Sequence, residues 1–478
     1  MNILVLESST TSAKAMVYDT DTRKFSVESR AYEFANADNA SGEQDPRHVF
    51  ETTVGLGRSL AAGRKIDIIS LISTFHSVML LDAQMEPVTP LYQWHFTGAS
   101  GLCRELRRDE DYVRRFYSKT GCMVNSTYPF FKLKFLRQRG LPPERYRIAG
   151  QGTYTTYRLT GDWAVTDITA SGTGLLNTHT RDYDDELLGE LGITRGNVGR
   201  LVRYDEALRL SAQGAALLGL EPGLPVMPSV PDGAMNQVGS GALEAGTMTF
   251  SVGTSGAMRL SVPQPVIPSK PSTWCYLSPN AWMSGAATNG CTNCVDWFKT
   301  KFFAQGVNYD KIEEGLRSIT DKSGEAVFMP FLFGERCIGW YDQRLGGFED
   351  VRPQHGVYDL YYSVLEGVLL NLYQCYETLA SVAGVPRKIK LSGGILNSPY
   401  WLQMCADIFQ TEMETDPATH SSVMGGVAVS MEKLGVIAGL RDLDLPKGIE
   451  IHPNRHNADM YRQRYARYLH YYGQSPGR

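Results

Sequence analysis

At 478 residues the chain is too long for one ordinary hydrophobic core, and its length predicts two to three domains. Its 42% hydrophobic and 21% charged residues are typical of a soluble globular protein. A formal net charge of −4 argues against nucleic acid as a partner.

The start of the chain and its cysteines both indicate a reducing compartment. The N-terminus passes directly into a strand without the regions of a signal peptide, and no apolar run approaches the roughly 18 residues that span a bilayer. The cysteines are scattered, and the pair Cys291 and Cys294 has no second pair at zinc-site spacing. We expect a cytoplasmic protein with free thiols and no membrane partner.

The first half opens with a predicted hairpin, in which strand 2–7, turn 8–12 and strand 13–19 follow one another. The turn contains only small residues, mostly with hydroxyl groups. Successive N–H groups in such a turn form an anion-binding concavity, although an ordinary hairpin has the same pattern. Beyond it the patterns predict a strand near 24–32, a helix near 48–62, a strand at 66–73, helices at 103–118 and 129–139, a polar strand–turn region at 151–178 and a helix that ends near 220.

Asp232 stands between Pro231 and a run of small residues that begins at Gly233. This arrangement indicates a carboxylate on a tight turn that opens a helix. Such an acid is either a helix N-cap or a catalytic group. Its position shortly before a second small-residue turn favours the catalytic interpretation.

The second half repeats this plan with strand 247–252, turn 253–256 and strand 257–262. Further elements are predicted as a strand at 281–287, helices from 291 and at 358–382, a strand at 388–391 that leads into Ser392, and helices at 400–409, 421–434 and 457–472. Alternating strands and helices predict parallel sheets with helical cover. The two similar turns predict a phosphoryl-transfer enzyme that grips a nucleotide from both sides.

The chain contains neither a Walker loop nor a G-x-G-x-x-G motif. The remaining plan is a duplicated domain with ATP in the cleft between two similar halves. We expect an N-terminal domain at 1–242 and a C-terminal domain at 243–478, with a glycine-rich hinge at 239–246.

A series of motifs, in order along nearly the whole chain, resembles the FGGY carbohydrate kinases of the actin and hexokinase fold superfamily. The matching segments are 7–14 (D-x-G-T-T-S-x-K), 75–82 (M-H-S-x-x-L-x-D), 129–133 (P-x-x-K-L), 232–234 (the catalytic turn), 253–256 (the second phosphate loop), 330–336 (P-F-L-x-G-E-R) and 392–398 (the adenosine side). The resemblance implies an α/β fold of two ribonuclease H-like domains with an ATP cleft between them. It also implies ATP as a substrate and Mg²⁺ as a cofactor.

The resemblance assigns a role to each matching residue. Asp232 would accept the proton of a substrate hydroxyl, and Glu7 would help to hold a hydrated Mg²⁺. The substrate would lie against His76, Ser77, Trp94 and Asp232. ATP would be bound by Thr10, Thr11, Ser12, Lys14, Gly253, Thr254, Ser255, Gly256, Gly393, Gly394 and Ser398.

Some of these residues have an equally ordinary interpretation. Lys14 is also consistent with a strand residue that points to solvent, His76 with a packed histidine, and Trp94 with a core residue. Ser392, Gly393 and Gly394 are also consistent with a simple strand-to-helix turn.

Three departures from the family pattern affect the expected site. Glu7 replaces Asp and lengthens the acid by one methylene, and Ser9 replaces a turn glycine. The family's W-x-D-x-R reads Trp94, His95, Phe96, Thr97, Gly98, so both the acid and the Arg are absent. The sequence therefore defines the reaction more closely than the substrate.

The predicted reaction is transfer of the γ-phosphate of ATP to a primary hydroxyl of a small sugar or sugar acid. His76 with Ser77 and the run 334–340 favour gluconate over D-xylulose, and a xylulokinase-type ketose kinase is the alternative. A non-catalytic nucleotide or sugar sensor is a further alternative, against which the retention of Asp232 and of turn 253–256 argues. The Tyr-rich segment 461–472 predicts either a homodimer contact or packing on the core.

Overall fold

Groups of strands are interspersed with helices along the chain in the computed structural model, which describes residues 1–33, 41–319, 326–417 and 420–474. The strands are β1 Asn2–Ser8, β2 Ser12–Asp19, β3 Phe25–Ala31, β4 Glu43–Gln44, β5 Ile68–Ser73, β6 Met79–Leu81, β7 Leu91–Tyr92, β8 Arg147–Ala149, β9 Ala164–Thr166, β10 Leu176–Asn177, β11 Asp182–Tyr183, β12 Arg200–Val202, β13 Leu208–Arg209, β14 Pro225–Pro231, β15 Thr247–Val252, β16 Gly256–Val262, β17 Trp274–Ser278, β18 Ala281–Thr288, β19 Val327–Met329, β20 Gly347–Glu349, β21 Lys388–Ser392, β22 Met413–Thr415 and β23 Glu450–Ile451.

The helices are α1 Pro46–Ala61, α2 Ser100–Leu106, α3 Glu110–Thr120, α4 Pro129–Gln138, α5 Gln151–Thr160, α6 Asp167–Ser171, α7 Asp185–Glu190, α8 Ala212–Leu218, α9 Asp232–Gly239, α10 Thr292–Phe302, α11 Tyr309–Arg317, α12 Val357–Ala383, α13 Pro399–Phe409, α14 Ser421–Lys433 and α15 Ala458–Gln474. Within the described ranges, none of them combines the length and the apolar character needed to cross a bilayer.

The first of two compact units contains Met1–Glu244, Pro263–Met283 and Ala418–Leu445. Its main sheet has the strand order β13-β14-β5-β1-β2-β3. Strands β14, β5 and β1 run parallel, and β2 and β3 continue antiparallel from β1. Helices α1 and α5 pack on this sheet around an apolar core, and α14 packs on β1 and β5.

The second unit contains Ala245–Val262, Ser284–Pro417 and Pro446–Arg478. Its sheet includes, in order, β18-β16-β15-β21-β22-β23. Strand β15 pairs antiparallel with β16 and parallel with β21. The same arrangement occurs in the first unit, where β1 pairs antiparallel with β2 and parallel with β5. The predicted α/β class with parallel strands and helical cover is confirmed.

The polar strand–turn region predicted at 151–178 is wrong, because α5 and α6 occupy much of it. Threonine hydroxyls in α5 bond to the carbonyl group four residues earlier, as Thr156 does to Gly152 at 2.8 Å. The helix packs on β5 and β14. The free energy gained by burying the helix against these strands outweighs the lower helix propensity of β-branched residues, which costs less than about 0.7 kcal/mol per residue.

The helix predicted at 103–118 is two helices. Helix α2 ends at Leu106, and α3 begins at Glu110 after Asp109, whose side chain accepts the N–H of Tyr112 at 2.9 Å. Asp109 is thus the N-cap of a new helix, a role that Asp favours.

The Tyr-rich segment at 461–472 lies in α15, and part of it packs on the core. Tyr461 and Tyr468 are buried, and the Tyr468 hydroxyl donates to Gln374 at 3.2 Å. Arg464, between them, is buried in an ion pair with Glu366 of α12.

Candidate active site

Three predicted site segments leave the same edge of the first unit's sheet. The register pairs Ser8 of β1 with Ser73 of β5, and Ser73 with Pro231 of β14. Because these strands are parallel, the residues after them emerge side by side at the carboxyl ends, where open α/β sheets bind ligands. The turn after Ser8, the segment that starts at Thr74, and Asp232 are therefore neighbours.

The turn after β1 has the features of an anion-binding loop. Ser9 donates its N–H and its hydroxyl to the Ser12 carbonyl at 3.0 and 2.7 Å, and the Thr11 carbonyl accepts the N–H of Tyr32 at 3.0 Å. Among the described residues, nothing accepts the N–H groups of Thr10 and Thr11. These N–H groups are available to a ligand oxygen. Ser9 closes the turn without a positive φ, so this position does not need the family's glycine.

Glu7 and Lys14 face each other across the hairpin. The two residues are register partners in β1 and β2, and Lys14 Nζ lies 3.1 Å from Glu7 Oε2. The other oxygen of Glu7 accepts the hydroxyl of Ser422 at 2.7 Å. Glu7 is buried and Lys14 is partly exposed, so Lys14 does not extend freely into solvent. The structure thus pairs the residue predicted to hold the metal with one predicted to bind phosphate.

Asp232 is the first residue of α9, directly after β14, and Pro231 occupies the N-cap position. The N-cap interpretation of Asp232 is therefore wrong. Its Oδ1 accepts the N–H of Gly233 at 2.7 Å, and the side chain is half-buried. The positive end of the helix dipole stabilises an ionised carboxylate at this position.

Helix α9 is held against α14 at very short range. A Cβ atom on Gly239 would lie 1.8 Å from the Ser421 carbonyl oxygen, and one on Gly425 would lie 2.2 Å from the Met235 carbonyl oxygen. Only glycine permits backbones to approach this closely. The glycines fix the position of α9 and hence of Asp232.

We expect Gly425→Ala to lower the free energy of unfolding by about 1–3 kcal/mol, because the added methyl group meets backbone that cannot move aside as a side chain does. Urea denaturation followed by circular dichroism measures the loss. The matched control is Gly55→Ala in α1, where a Cβ atom would meet nothing within 4 Å. That change should stabilise the protein by about 0.5–1 kcal/mol, since alanine favours helix over glycine. Equal stability of the two variants would contradict the packing argument.

His76 and Ser77 both make defined contacts. His76 has a φ of +66°, its Nδ1 lies 2.6 Å from the Gly172 carbonyl oxygen, and its ring packs against Tyr128 and Tyr276. The contact with a carbonyl requires the proton on Nδ1. The Ser77 hydroxyl accepts the N–H of Gln151 at 3.1 Å and so caps the start of α5.

Lys132, the lysine of the P-x-x-K-L motif, is buried. Its Nζ donates to the carbonyl oxygens of His76 and Gln93, both at 2.7 Å. Burial lowers the pKa of this amine well below its usual value. The lysine ties together the segments that carry His76 and Trp94. The signal available in the sequence was the lysine of the P-x-x-K-L motif at 129–133.

The second small-residue turn is held by a different set of backbone hydrogen bonds from the first. The carbonyl oxygens of Gly253 and Thr254 accept the first N–H groups of α10, from Thr292 at 2.9 Å and Asn293 at 3.5 Å. The Ser255 carbonyl oxygen accepts the N–H of Gly253 at 3.3 Å. Within the described ranges, the N–H groups of Thr254 and Ser255 donate to no other group. This turn too presents two adjacent N–H groups.

Gly393 and Gly394 lie beside this second turn. The register pairs Ser251 of β15 with Ser392 of the parallel strand β21, so the residues that follow the two strands are neighbours. Gly393 has a φ of +96°, and a Cβ atom there would lie 2.5 Å from the Val252 carbonyl oxygen. The approach of the two backbones requires glycine at this position.

Gly394 lines a cavity of about 410 Å³. Its apolar walls include Val295, Ile312, Leu316, Tyr361, Leu365 and Trp401. Its polar groups include Asp296, which accepts the Tyr309 hydroxyl at 2.8 Å, and Glu313, which accepts the Ser398 hydroxyl. A flat apolar ring system with polar substituents suits such a lining.

Comparison with known families agrees with this geometry. Residues 2–239 match the N-terminal domain of the FGGY family of carbohydrate kinases, and residues 248–431 match its C-terminal domain. The chain belongs to the FGGY family of carbohydrate kinases. This kinase accordingly acts on a small sugar-type molecule, and the family uses ATP.

Relatives of the kinase carry two names. A gluconokinase of Bacillus subtilis is 25% identical over 452 residues, which cover 91% of this chain and 88% of that protein. A xylulose kinase of Escherichia coli is 26% identical over 412 residues, 82% of each chain. The crystal structure of gluconate kinase from Lactobacillus acidophilus has a TM-score of 0.92 at 23% identity, covering 99% of this chain and 98% of that one. This likeness confirms the fold.

Phe96 and Gly98 of the kinase pack against each other. They stand where the family has its acid and its Arg. The Phe96 ring packs on Tyr92 and Phe135, with ring centroids 4.7 and 5.7 Å apart. A Cβ atom on Gly98 would lie 2.3 Å from the tip of the Phe96 ring. Phe96 therefore turns into the core, and Gly98 leaves room for it.

Cys291 and Cys294 of the kinase lie at the start of α10 and are buried free thiols. Burial raises the pKa of Cys294 to about 12, so this thiol stays protonated and unreactive near neutral pH. Within the described residues, no cluster of three or more His, Cys, Asp or Glu side chains is placed to hold a metal ion.

Proposed function

We propose that the kinase transfers the γ-phosphate of ATP to a primary hydroxyl of a small sugar or sugar acid, with gluconate favoured over D-xylulose. One observation carries the proposal: Asp232 and the turn with the open N–H groups of Thr10 and Thr11 leave the same edge of one sheet. A proton acceptor beside an anion-binding turn is what attack of a hydroxyl on a phosphate requires.

In this mechanism the protein positions groups and stabilises charge, because phosphoryl transfer has a loose transition state. Asp232 orients the attacking hydroxyl and accepts its proton. In the first unit, the turn that contains Thr10, Thr11 and Ser12 donates hydrogen bonds to phosphate oxygens. In the second unit, the turn that contains Gly253, Thr254, Ser255 and Gly256 offers the same kind of donor. Lys14, which forms an ion pair with Glu7 in the structure, adds a positive charge at the first turn.

The first unit offers the carboxylate of Glu7 to a hydrated Mg²⁺. Glu7 Oε2 is buried and, among the residues that the structure describes, makes an ion pair with Lys14 but no hydrogen bond. Mg²⁺ keeps most of its water ligands and needs one or two carboxylates. Glu7 would hold the hydrated ion, and when bound the ion would neutralise charge on the phosphate groups.

We assign the adenosine part of ATP to the cavity of the second unit. Gly393 and Gly394 would lie along the nucleotide, and Ser398 with Glu313 would face the ribose. The apolar walls suit the base. In functional terms we retain the division into a sugar-side domain at 1–242 and a nucleotide-side domain at 243–478.

On the sugar side, Trp94 would give an apolar wall for the C–H face of the substrate. His76 and Ser77 would complete the site with polar atoms. The relatives named gluconokinase and xylulose kinase support both substrates, and the His76–Ser77 pair with the run 334–340 favours gluconate.

The test is ADP production from Mg-ATP with gluconate, D-xylulose, ribulose and glycerol, each offered separately. We expect turnover with gluconate. If only D-xylulose were phosphorylated, the assignment as a sugar kinase would stand, and D-xylulose would replace gluconate as the proposed substrate. Failure of every compound to stimulate ADP production, although ATP binds, would favour a nucleotide sensor over this proposal.

A further inference from the structure

Thr10 is fixed at two atoms in the first turn. Its carbonyl oxygen accepts Gln44 Nε2 at 2.6 Å, and its hydroxyl oxygen accepts the indole Nε1 of Trp94 at 3.0 Å. Trp94 was predicted to contact the substrate and Thr10 to contact phosphate. The structure joins these two predicted sites by one hydrogen bond.

The bond to the Thr10 carbonyl is one link in a closed ring of buried groups. Gln93 Nε2 donates to Gln44 Oε1 at 2.5 Å, and the Thr74 hydroxyl donates to Gln93 Oε1 at 3.1 Å. The N–H of Thr74 then donates to the Ser8 carbonyl oxygen at 3.1 Å, which returns the ring to the turn. Ser8, Gln44, Thr74 and Gln93 are all buried.

Each orientation in the ring is determined by the one before it. The Thr10 carbonyl can only accept, so Gln44 must present its NH₂ to it and its oxygen to Gln93. Gln93 must then donate with its NH₂ and accept from Thr74. Buried amides whose groups are all satisfied are costly to rearrange. The ring therefore holds the Thr10 peptide in one orientation.

We propose that Trp94 and Gln44 are positioning residues that set the Thr10 hydroxyl as a donor to a phosphate oxygen. Because the hydroxyl oxygen of Thr10 accepts the indole N–H, its own hydrogen stays available for another acceptor, and a phosphate oxygen held by the open N–H groups of the turn would be such an acceptor. Trp94 would then contact the sugar with its ring and orient the Thr10 hydroxyl with its indole N–H. This inference rests on the proposed function, in which this turn binds phosphate.

The test is calorimetric binding of adenylyl imidodiphosphate, a non-hydrolysable ATP analogue, to the full chain with Mg²⁺. We expect Trp94→Phe and Thr10→Val each to weaken binding about 5–10-fold, the value of one hydrogen bond. The double variant should bind as weakly as Thr10→Val alone, because both changes remove the same interaction. Thr10→Ser keeps the hydroxyl and should bind like the wild type.

Trp163→Phe is the control for replacing an indole ring by a phenyl ring without losing a hydrogen bond, because among the described residues Trp163 Nε1 has no hydrogen-bond partner. Trp163 is a half-buried tryptophan of the same unit whose ring lies under Arg147, and its replacement should leave binding unchanged. Gln44→Met, which cannot donate to Thr10, should also weaken binding about 5–10-fold.

Two results would overturn the proposal while leaving the kinase assignment intact: additive losses in the double variant, or wild-type binding by Trp94→Phe. Failure of the wild-type protein to bind the analogue would instead reject the proposed function and this inference with it. Thermal unfolding of every variant shows whether a loss of binding reflects a loss of fold.

Discussion

Asp232→Asn should slow sugar phosphorylation by about 10²–10⁴-fold, the usual contribution of a positioned general base. The amide keeps the shape of the side chain and its bond to the Gly233 N–H, but it cannot take up a proton from the attacking hydroxyl. The loss should appear in kcat and only weakly in nucleotide affinity, because in the proposed mechanism Asp232 contacts the substrate hydroxyl. Steady-state ADP production and calorimetric binding of adenylyl imidodiphosphate measure the two quantities.

Asp167→Asn is the matched control for this variant. Asp167 is the first residue of α6, and its Oδ1 accepts the N–H of Ile168 at 2.9 Å, as Asp232 does with Gly233. Burial raises the pKa of Asp167. The residue does not, however, follow any of the three neighbouring parallel strands β1, β5 and β14, which end at Ser8, Ser73 and Pro231. Its replacement should leave turnover unchanged. Wild-type turnover by Asp232→Asn would remove the basis for a catalytic Asp232.

The sequence was sufficient to predict the two hairpins and the strand after each, because these elements are local. Small residues mark each turn, apolar runs mark β1 and β5, and apolar residues that alternate with polar ones mark β15 and β21. The order of these elements then implies which strands are parallel, and the register brings Asp232 to the first turn. The sequence could not show that Asp232 is the first residue of α9 and not its N-cap. These two positions differ by one residue, and sequence patterns do not locate the start of a helix that closely.

What the sequence did not predict depends on contacts between distant residues. Gln44 and Gln93 carry no local signal, and their roles come from hydrogen bonds to residues 34 and 49 positions away in the chain. The Phe96 and Gly98 departures looked like two losses from a sugar site. They are one packing change, since the ring of Phe96 occupies the space over Gly98. The threonines of α5 illustrate the same limit, because burial on the sheet decided their conformation.

Gly393→Ala should weaken nucleotide binding about 5–150-fold, corresponding to an overpacking cost of about 1–3 kcal/mol. A Cβ atom at position 393 would lie 2.5 Å from the Val252 carbonyl oxygen and 3.0 Å from the Gly253 nitrogen. Both atoms belong to the backbone that leads into the second turn, so relief of the clash must displace that turn. The φ of +96° adds strain for any residue with a side chain.

Gly394→Ala separates this effect from a general intolerance of larger residues near the cavity. Its Cβ atom would meet a side-chain methyl group of Thr292 at 3.2 Å and the Val252 oxygen only at 3.8 Å, and Gly394 has no positive φ. The variant should bind adenylyl imidodiphosphate within a few-fold of the wild type, since a methyl group can shift where backbone cannot. In both variants the KM for the sugar should stay unchanged, because the predicted sugar contacts lie on other elements. Equal losses of affinity in the two variants would mean that crowding of the cavity, and not displacement of the second turn, weakens binding.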